Sequence, residues 1–473
     1  FLDSLSYDEM FVRHGQISDA FHETFKWLFE PPQEQTSWDN FTAWLRNNDG
    51  QRTYWISAKP GSGKSTLMKY IASHIETDTE LRAWAAGSPL VRASFYFWVG
   101  GSDVYKSRES LLKALLYQIF INRPELIARY CPRRAEVHRL FGSFPISWDL
   151  DELDNVAQNV VKDKNTKFFF LIDGLDECVN DHEELVASLQ ALTSHQNVKI
   201  CVSSRPWPDF EDAYQKGPHL LLHERTEGDI TSFVRSKLDR SRGYTELKMR
   251  DSDFADRLVE EITQKSQGVF LWVEFVVRAI LSDLKNRKRI EVLERRLQEL
   301  PEELEELFQA LIDMVEEDLK EDAYELFELV RAAHSPLTLL TLSFAHEEGK
   351  SPEDGKSSSI ARFERAKLNP QEKEGRCKIM KGRLMSHCKG LLEVTTPVEA
   401  LAACTVHYMH RTVREFLKKP DIWKAFSNVI AKSSFDPYAA LCRASIIHLK
   451  TFDIEIMKTN IFWAAVTDSL HYA

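Results

Sequence analysis

The chain has 473 residues, 43% of them hydrophobic and 28% charged, the balance of a globular chain and not of a disordered one. At about 150 residues per domain this length predicts about three cores. With 61 basic against 72 acidic residues the formal charge is −11, which argues against a nucleic-acid coat, and no window holds the roughly 18 uninterrupted apolar residues of a membrane span.

The 7 cysteines form no C-x-x-C pair, and this odd, scattered set suits a reducing, cytoplasmic setting better than a disulfide framework. The chain begins at Phe1 and stops soon after an apolar stretch at 461–466, which we expect of a segment of a longer protein.

In chain order, residues 1–45 read as a helical lead-in with Trp27, Leu28 and Phe29 as apolar anchors. Residues 46–225 then alternate strand and helix: strands at 54–57, 91–98, 167–172 and 198–203, helices at 65–75 and 109–120. The third and fourth strands are near-continuous apolar runs, the pattern of strands covered on both faces by crossover helices, so an α/β fold with a parallel sheet is expected. After 225 the strand pattern stops. Thr226 and Asp229 resemble a T-x-x-D capping pair opening a helix in a helical domain at 226–300, and 268–281 reads as a buried helix broken by Glu274 and Arg278. Leu304, Leu307, Phe308, Leu311, Ile312 and Val315 repeat at helical spacing behind Pro301. They open a region at 301–425 that holds a polar, charged stretch at 347–376, read as a mobile loop, a strand near 391–394 and a helix near 412–417. Residues 426–473 begin a further helical region.

The strongest chemical signal is Ala58, Lys59, Pro60, Gly61, Ser62, Gly63, Lys64, Ser65 and Thr66, between a hydrophobic strand and a helix. It matches a phosphate-binding P-loop except that Ala58 replaces the first glycine. Backbone N–H groups of the glycine turn and the helix N-terminus nest the phosphates; Lys64 neutralises their charge, and the Ser65 hydroxyl is a Mg²⁺ ligand. Asp173 ends the apolar run 168–172 and is the second candidate Mg²⁺ ligand, through water. In the acidic box that follows, Asp173-Gly174-Leu175-Asp176-Glu177, either Asp176 or Glu177 is a candidate general base. Arg205, in Ser203-Ser204-Arg205-Pro206 at the end of the fourth strand, is read as a sensor of the γ-phosphate because it follows Asp173's strand, although a strand-end arginine alone is more often a surface ion-pair residue.

Together the loop, the DGLDE box and the SSRP arginine resemble a NACHT domain, the nucleotide switch of the STAND class of P-loop NTPases. The lead-in from Arg13 to Phe29, the segment 268–273, the Leu300-Pro301 helix and residues 390–394 resemble the corresponding parts of fungal, NLR-like NACHT proteins. This resemblance implies a P-loop sheet followed by helical and winged-helix domains, binding ATP or ADP with Mg²⁺. It also implies a state closed with ADP, self-association on exchange for ATP, and appended effector and sensor domains outside this segment. His410, in Tyr408-Met409-His410-Arg411, resembles the Met-His-Asp element whose histidine reaches the ADP β-phosphate, with Arg411 in place of the aspartate. A lone helical histidine is also an ordinary packed residue. Phe270, Trp272 and Val276 fit a core helix as well as an adenine border, and Phe25 and Trp27 share that ambiguity. A turnover ATPase coupled to remodelling and a scaffold that binds nucleotide only for stability are the competing readings; the acidic box counts against the scaffold.

Overall fold

The near-continuous apolar runs form the centre of a five-stranded, all-parallel sheet. The computed structural model describes the chain except residues 8–9, 23, 31–37, 49, 99–105, 143–146, 180–181, 349–367, 395–400, 402–403, 431–434, 451–459 and 473. It divides into two units, Phe1–Gln298 and Glu299–Ala473.

In the first unit the elements are β1 (Thr53–Ser57), α1 (Lys64–Ser73), β2 (Leu90–Tyr96), β3 (Lys167–Asp173), β4 (Val198–Ser204) and β5 (His219–Leu221), with strand order β2-β3-β4-β1-β5. Along β3, Phe168, Phe170 and Ile172 enter one core and Phe169 and Leu171 the other, so both faces are apolar and no alternation shows in the sequence. β5 spans three residues, too short to leave a periodic signal, so the sequence predicts no strand there. The helix expected at 65–75 stops at Ser73, because His74 is extended and opens a second helix, Ile75–Ala85. The second strand ends at Tyr96, so Trp98 lies outside it. Among its described residues the lead-in is less helical than expected, with the short helices Leu2–Ser4, Val12–Gln16, Lys26–Phe29 and Phe41–Arg46.

One buried charge stands out. Lys199 of β4 is 1% exposed; its Nζ donates to the carbonyls of Trp44 and Leu45 and lies 5.2 and 5.0 Å from the ring centroids of Trp44 and Trp84. Burial, with the charges of Arg52 and Lys167, brings its pKa from 10.5 down to about 7. The unfolded chain holds this proton up to its ordinary pKa, so unfolding takes up protons between those two values and stability rises with pH across that window. Urea unfolding at pH 7 and pH 9 is expected to show wild type gaining about 2 kcal/mol more than Lys199→Met over those two units. Parallel pH profiles for the two proteins would remove Lys199 as the cause.

After the sheet come α2 (Glu227–Asp239) and α3 (Phe270–Lys285). The Thr226/Asp229 capping pair is not formed. The Thr226 hydroxyl donates to the Gly268 carbonyl (3.1 Å), while Asp229 accepts from the Phe25 N–H (3.1 Å) and Trp27 Nε1 (2.9 Å) of the lead-in. Tertiary partners have outcompeted the local cap. Gly268 is required at its position: φ is +79°, and a Cβ there would lie 1.9 Å from the His223 carbonyl oxygen.

In the second unit, α4 (Leu304–Asp313) buries Leu307, Phe308, Leu311 and Ile312 as its spacing predicts, and Val315 is buried just beyond its end. The stretch expected as a loop at 347–376 is corrected at its C-terminal end: α5 (Pro370–His387) begins there, with Asn369 and Glu372 forming a reciprocal capping box. Residues 349–367 lie outside the described residues. β6 (Leu392–Val394) and β7 (Val406–Tyr408) form a two-stranded antiparallel pair, followed directly by α6 (Arg411–Leu417). Among the described residues no helix is long and apolar enough to cross a membrane.

Candidate nucleotide site

Because all five strands run parallel, the C-terminal ends of β1, β3 and β4 meet at one edge, and the candidate residues of the first unit gather there. Ala58 follows β1 and is fully buried, its N–H donating to the Ser204 carbonyl (3.3 Å). The chain then turns through Lys59 and Pro60 to Gly61 (φ +77°) and Gly63 (φ +92°), a left-handed geometry that glycine adopts without strain. Gly63 caps α1 without a side-chain hydrogen bond, so the first-turn N–H groups of Lys64, Ser65 and Thr66 carry no side-chain cap. Ser62 is 1% exposed, and its Oγ has no hydrogen-bond partner. A buried hydroxyl without a partner costs about 1–3 kcal/mol, and a phosphate oxygen is the acceptor that relieves it. The loop therefore fits an anion.

The cation end fits as well. Asp173 is 1% exposed and accepts from Ser203 Oγ (2.5 Å) and from the Ser65 hydroxyl. Burial raises its pKa, while those two hydroxyls and the charges of Lys64 and Arg13 hold it down. With its proton given to Asp173, the Ser65 oxygen keeps its lone pairs, the hard donor that Mg²⁺ prefers. Bound Mg²⁺ would neutralise phosphate charge and favour the ionised form of Asp173.

The two acidic-box candidates occupy different surroundings. Both oxygens of Asp176 are engaged, Oδ1 by the Arg205 N–H (3.0 Å) and Oδ2 by Arg205 Nε (3.1 Å), and the residue is 4% exposed. Glu177 is half-buried. Arg205 is thus tied to Asp176. His410 belongs to the second unit and is not inside a helix: it is extended (φ −151°) and caps α6, its Nδ1 accepting from the Thr412 N–H (3.1 Å). Arg411, where the resemblance has an aspartate, pairs with Glu415 (2.6 Å).

Several residues have contacts at the site that the sequence does not assign them. Ser203 bridges β4 to β3, donating to Asp173 and accepting from the Gly174 N–H (3.0 Å). Gln267 Oε1 accepts from Lys59 Nζ (3.1 Å). Leu271, at the start of α3, donates its N–H to the Gly61 carbonyl (3.0 Å), and a Cβ on Gly61 would lie 2.8 Å from Leu271 Cβ. The segment 268–271 is thus seated on the phosphate loop. Trp272 and Val276 are core residues. Phe25 faces Gly63 from the lead-in: a Cβ there would lie 3.7 Å from the Phe25 ring.

Residues 23–205 match the family model described as "Nephrocystin 3, N-terminal", a span that holds the phosphate loop, the acidic box and Arg205. These residues carry the P-loop fold, a parallel sheet with the phosphate loop, acidic box and Arg205 at its C-terminal edge, and are similar in sequence to that N-terminal domain. Residues 302–459 match a second model, described as "Domain of unknown function (DUF7791)". No curated protein matches the chain. Among solved structures, the chain is similar to Drosophila ORC bound to DNA at 12% identity and a TM-score of 0.32, covering 79% of this chain and 91% of that one. A Pyrococcus horikoshii STAND protein with a tetratricopeptide repeat sensor matches at 13% and 0.34, over 95% of this chain and 54% of that one, so the chain spans about half of it. Aeropyrum pernix ORC1 in complex with DNA matches at 10% and 0.29, over 84% and 97%.

Proposed function

We propose that the chain is the ADP/ATP switch of an NLR-like signalling protein of the fungal type, closed with ADP and self-associating with ATP, with slow hydrolysis as the reset. The observation that carries this reading is the seating of 268–271 on the phosphate loop through the Leu271 to Gly61 hydrogen bond (3.0 Å). A loop that must adjust to two or three phosphates is thereby tied to the first turn of α3, so a change of nucleotide moves a helix. A scaffold needs no such tie, and it needs no Glu177 either.

His410 supports the closed state in the same reading. Its Nδ1 accepts from Thr412, so the neutral ring carries its proton on Nε2, the donor that a β-phosphate oxygen requires. One such charge-assisted bond contributes about 1.5–3 kcal/mol, against about 5.5 kcal/mol for throwing a two-state equilibrium fully. His410 would bias the switch without locking it. Arg205, bound to Asp176, would report the γ-phosphate by exchanging that partner.

The test is to purify the chain, denature it and identify the released nucleotide by chromatography. Stoichiometric ADP is expected. An empty site that turns over added ATP rapidly would replace the switch with a turnover ATPase.

A further inference from the structure

Arg13 lies on the short lead-in helix Val12–Gln16, 160 positions before Asp173, yet the two meet electrostatically at the sheet edge. Its guanidinium carbon is 5.2 Å from the centroid of the Trp98 ring, a cation–π distance, and its Nε is buried without a hydrogen-bond partner. Together with Met10, His14, Phe95 and Tyr96 it lines a cavity of about 150 Å³. This cavity borders the acidic box. Tyr96 is the register partner of Asp173, and the Phe97 N–H donates to the Asp173 carbonyl (3.0 Å). A Cβ on Gly174 would lie 3.5 Å from Glu177 Cγ and 3.7 Å from the Phe97 carbonyl oxygen. Trp98 and Glu177 therefore flank the same turn.

An arginine does not give up its proton, so a guanidinium in this setting must find anions to offset its lost hydration. Burial works against the charge on Arg13, and the carboxylates that offset it are Glu177 first and Asp173 second. Asp173 is itself held by Ser203 and Ser65, and Asp176 by Arg205.

We propose that Arg13 is a positioning residue of the nucleotide site: braced on Trp98, it orients the Glu177 carboxylate and so makes hydrolysis depend on the seating of the lead-in. The inference rests on the reading of the site as hydrolytic, and deepens it by naming what sets the base. Residues 10–16 then act as a removable support. When the lead-in is drawn away, the phosphate loop still holds nucleotide, but Glu177 is no longer aimed.

Two double-mutant cycles on Arg13→Ala and Glu177→Gln test this, one on urea unfolding of the nucleotide-free protein and one on single-turnover ATP hydrolysis. Coupling is expected in both. The double variant should lose less stability than the sum of the singles, and hydrolyse no more slowly than Glu177→Gln alone. Arg13→Ala should lower the hydrolysis rate about 10²-fold, the cost of a base displaced by about 1 Å, and leave the Kd for ADP within about 3-fold. Arg13→Lys, which keeps the charge, should recover part of the rate. If Arg13→Ala does not fold, Arg13→Lys and Arg13→Gln replace it in both cycles. Additive stability effects, or a rate unchanged in Arg13→Ala, overturn the proposal. If coupling appears in unfolding but wild type does not hydrolyse ATP, the pairing stands and the hydrolytic reading of the site falls instead.

Discussion

Lys64→Ala is expected to weaken nucleotide binding by about 10²-fold to 10⁴-fold while leaving the apo fold intact. Lys64 opens α1 directly after Gly63, so its position is set by a left-handed glycine and by the helix, not by a mobile side-chain contact. Its charge already acts on Asp173, across the space where phosphates and cation would sit. Removing it deletes about two charge-assisted hydrogen bonds, each contributing roughly 1.5–3 kcal/mol, and every 1.4 kcal/mol is tenfold in affinity. Backbone N–H groups and the end of α1 remain, which is why some affinity survives. Because Lys64 is only half-buried, its loss leaves no cavity in the core. Calorimetric titration with ADP measures the affinity directly. Thermal melts supply the control: at 100 times Kd wild type gains about 2.7 kcal/mol from ligand, and the variant at the same concentration should gain almost nothing. An affinity within threefold of wild type would sink the P-loop assignment.

The loop was legible because its chemistry is local. Glycines, lysine and serine stand within nine consecutive positions, and the strand before and helix after are both periodic. Asp173 was legible for a related reason, as the first carboxylate after an apolar run covered on both faces. What sequence could not supply was the partner of each side chain. The Asp229 carboxylate reads as a local cap, but its donors are 204 and 202 positions away in the lead-in. Ser203 opens the SSRP element, but its role shows only when β4 lies beside β3 and brings it to Asp173. Leu271 lies in the recognisable segment 268–273, but only the fold puts its N–H on Gly61. Elements were found where periodicity was long and missed where it was short: three-residue β5 left no pattern, and the lead-in alternates between brief helices and turns. Composition alone made 370–376 a loop, although Asn369-Pro370 with Glu372 is a legible helix start.

Sequence also left Asp176 and Glu177 equivalent, and their surroundings separate them. Glu177→Gln is expected to slow ATP hydrolysis by about 10²-fold to 10⁴-fold, the usual contribution of a positioned general base, with ADP and ATP affinity unchanged. The amide keeps the shape of the side chain but cannot take the proton from the attacking water. Asp176→Asn should behave differently. Asp176 is 4% exposed, and both of its oxygens are bonded to Arg205, from the backbone N–H and from Nε. The amide keeps one acceptor and turns the other side into a donor facing Arg205, removing the charge that Asp176 sets against that half-buried guanidinium. Breaking a buried pair from one side costs about 3–5 kcal/mol, so this variant should melt earlier whether or not nucleotide is present. Single-turnover hydrolysis and thermal melts on the two variants therefore form a crossed pair: the larger loss of rate for Glu177, with only the smaller stability loss of its pairing with Arg13, and the larger loss of stability, with or without rate, for Asp176. A normal rate in Glu177→Gln would take that residue out of the chemistry. If Asp176→Asn then loses the rate at an unchanged melting temperature, the base is Asp176, and Arg205 holds it ready until a γ-phosphate arrives to compete for the guanidinium.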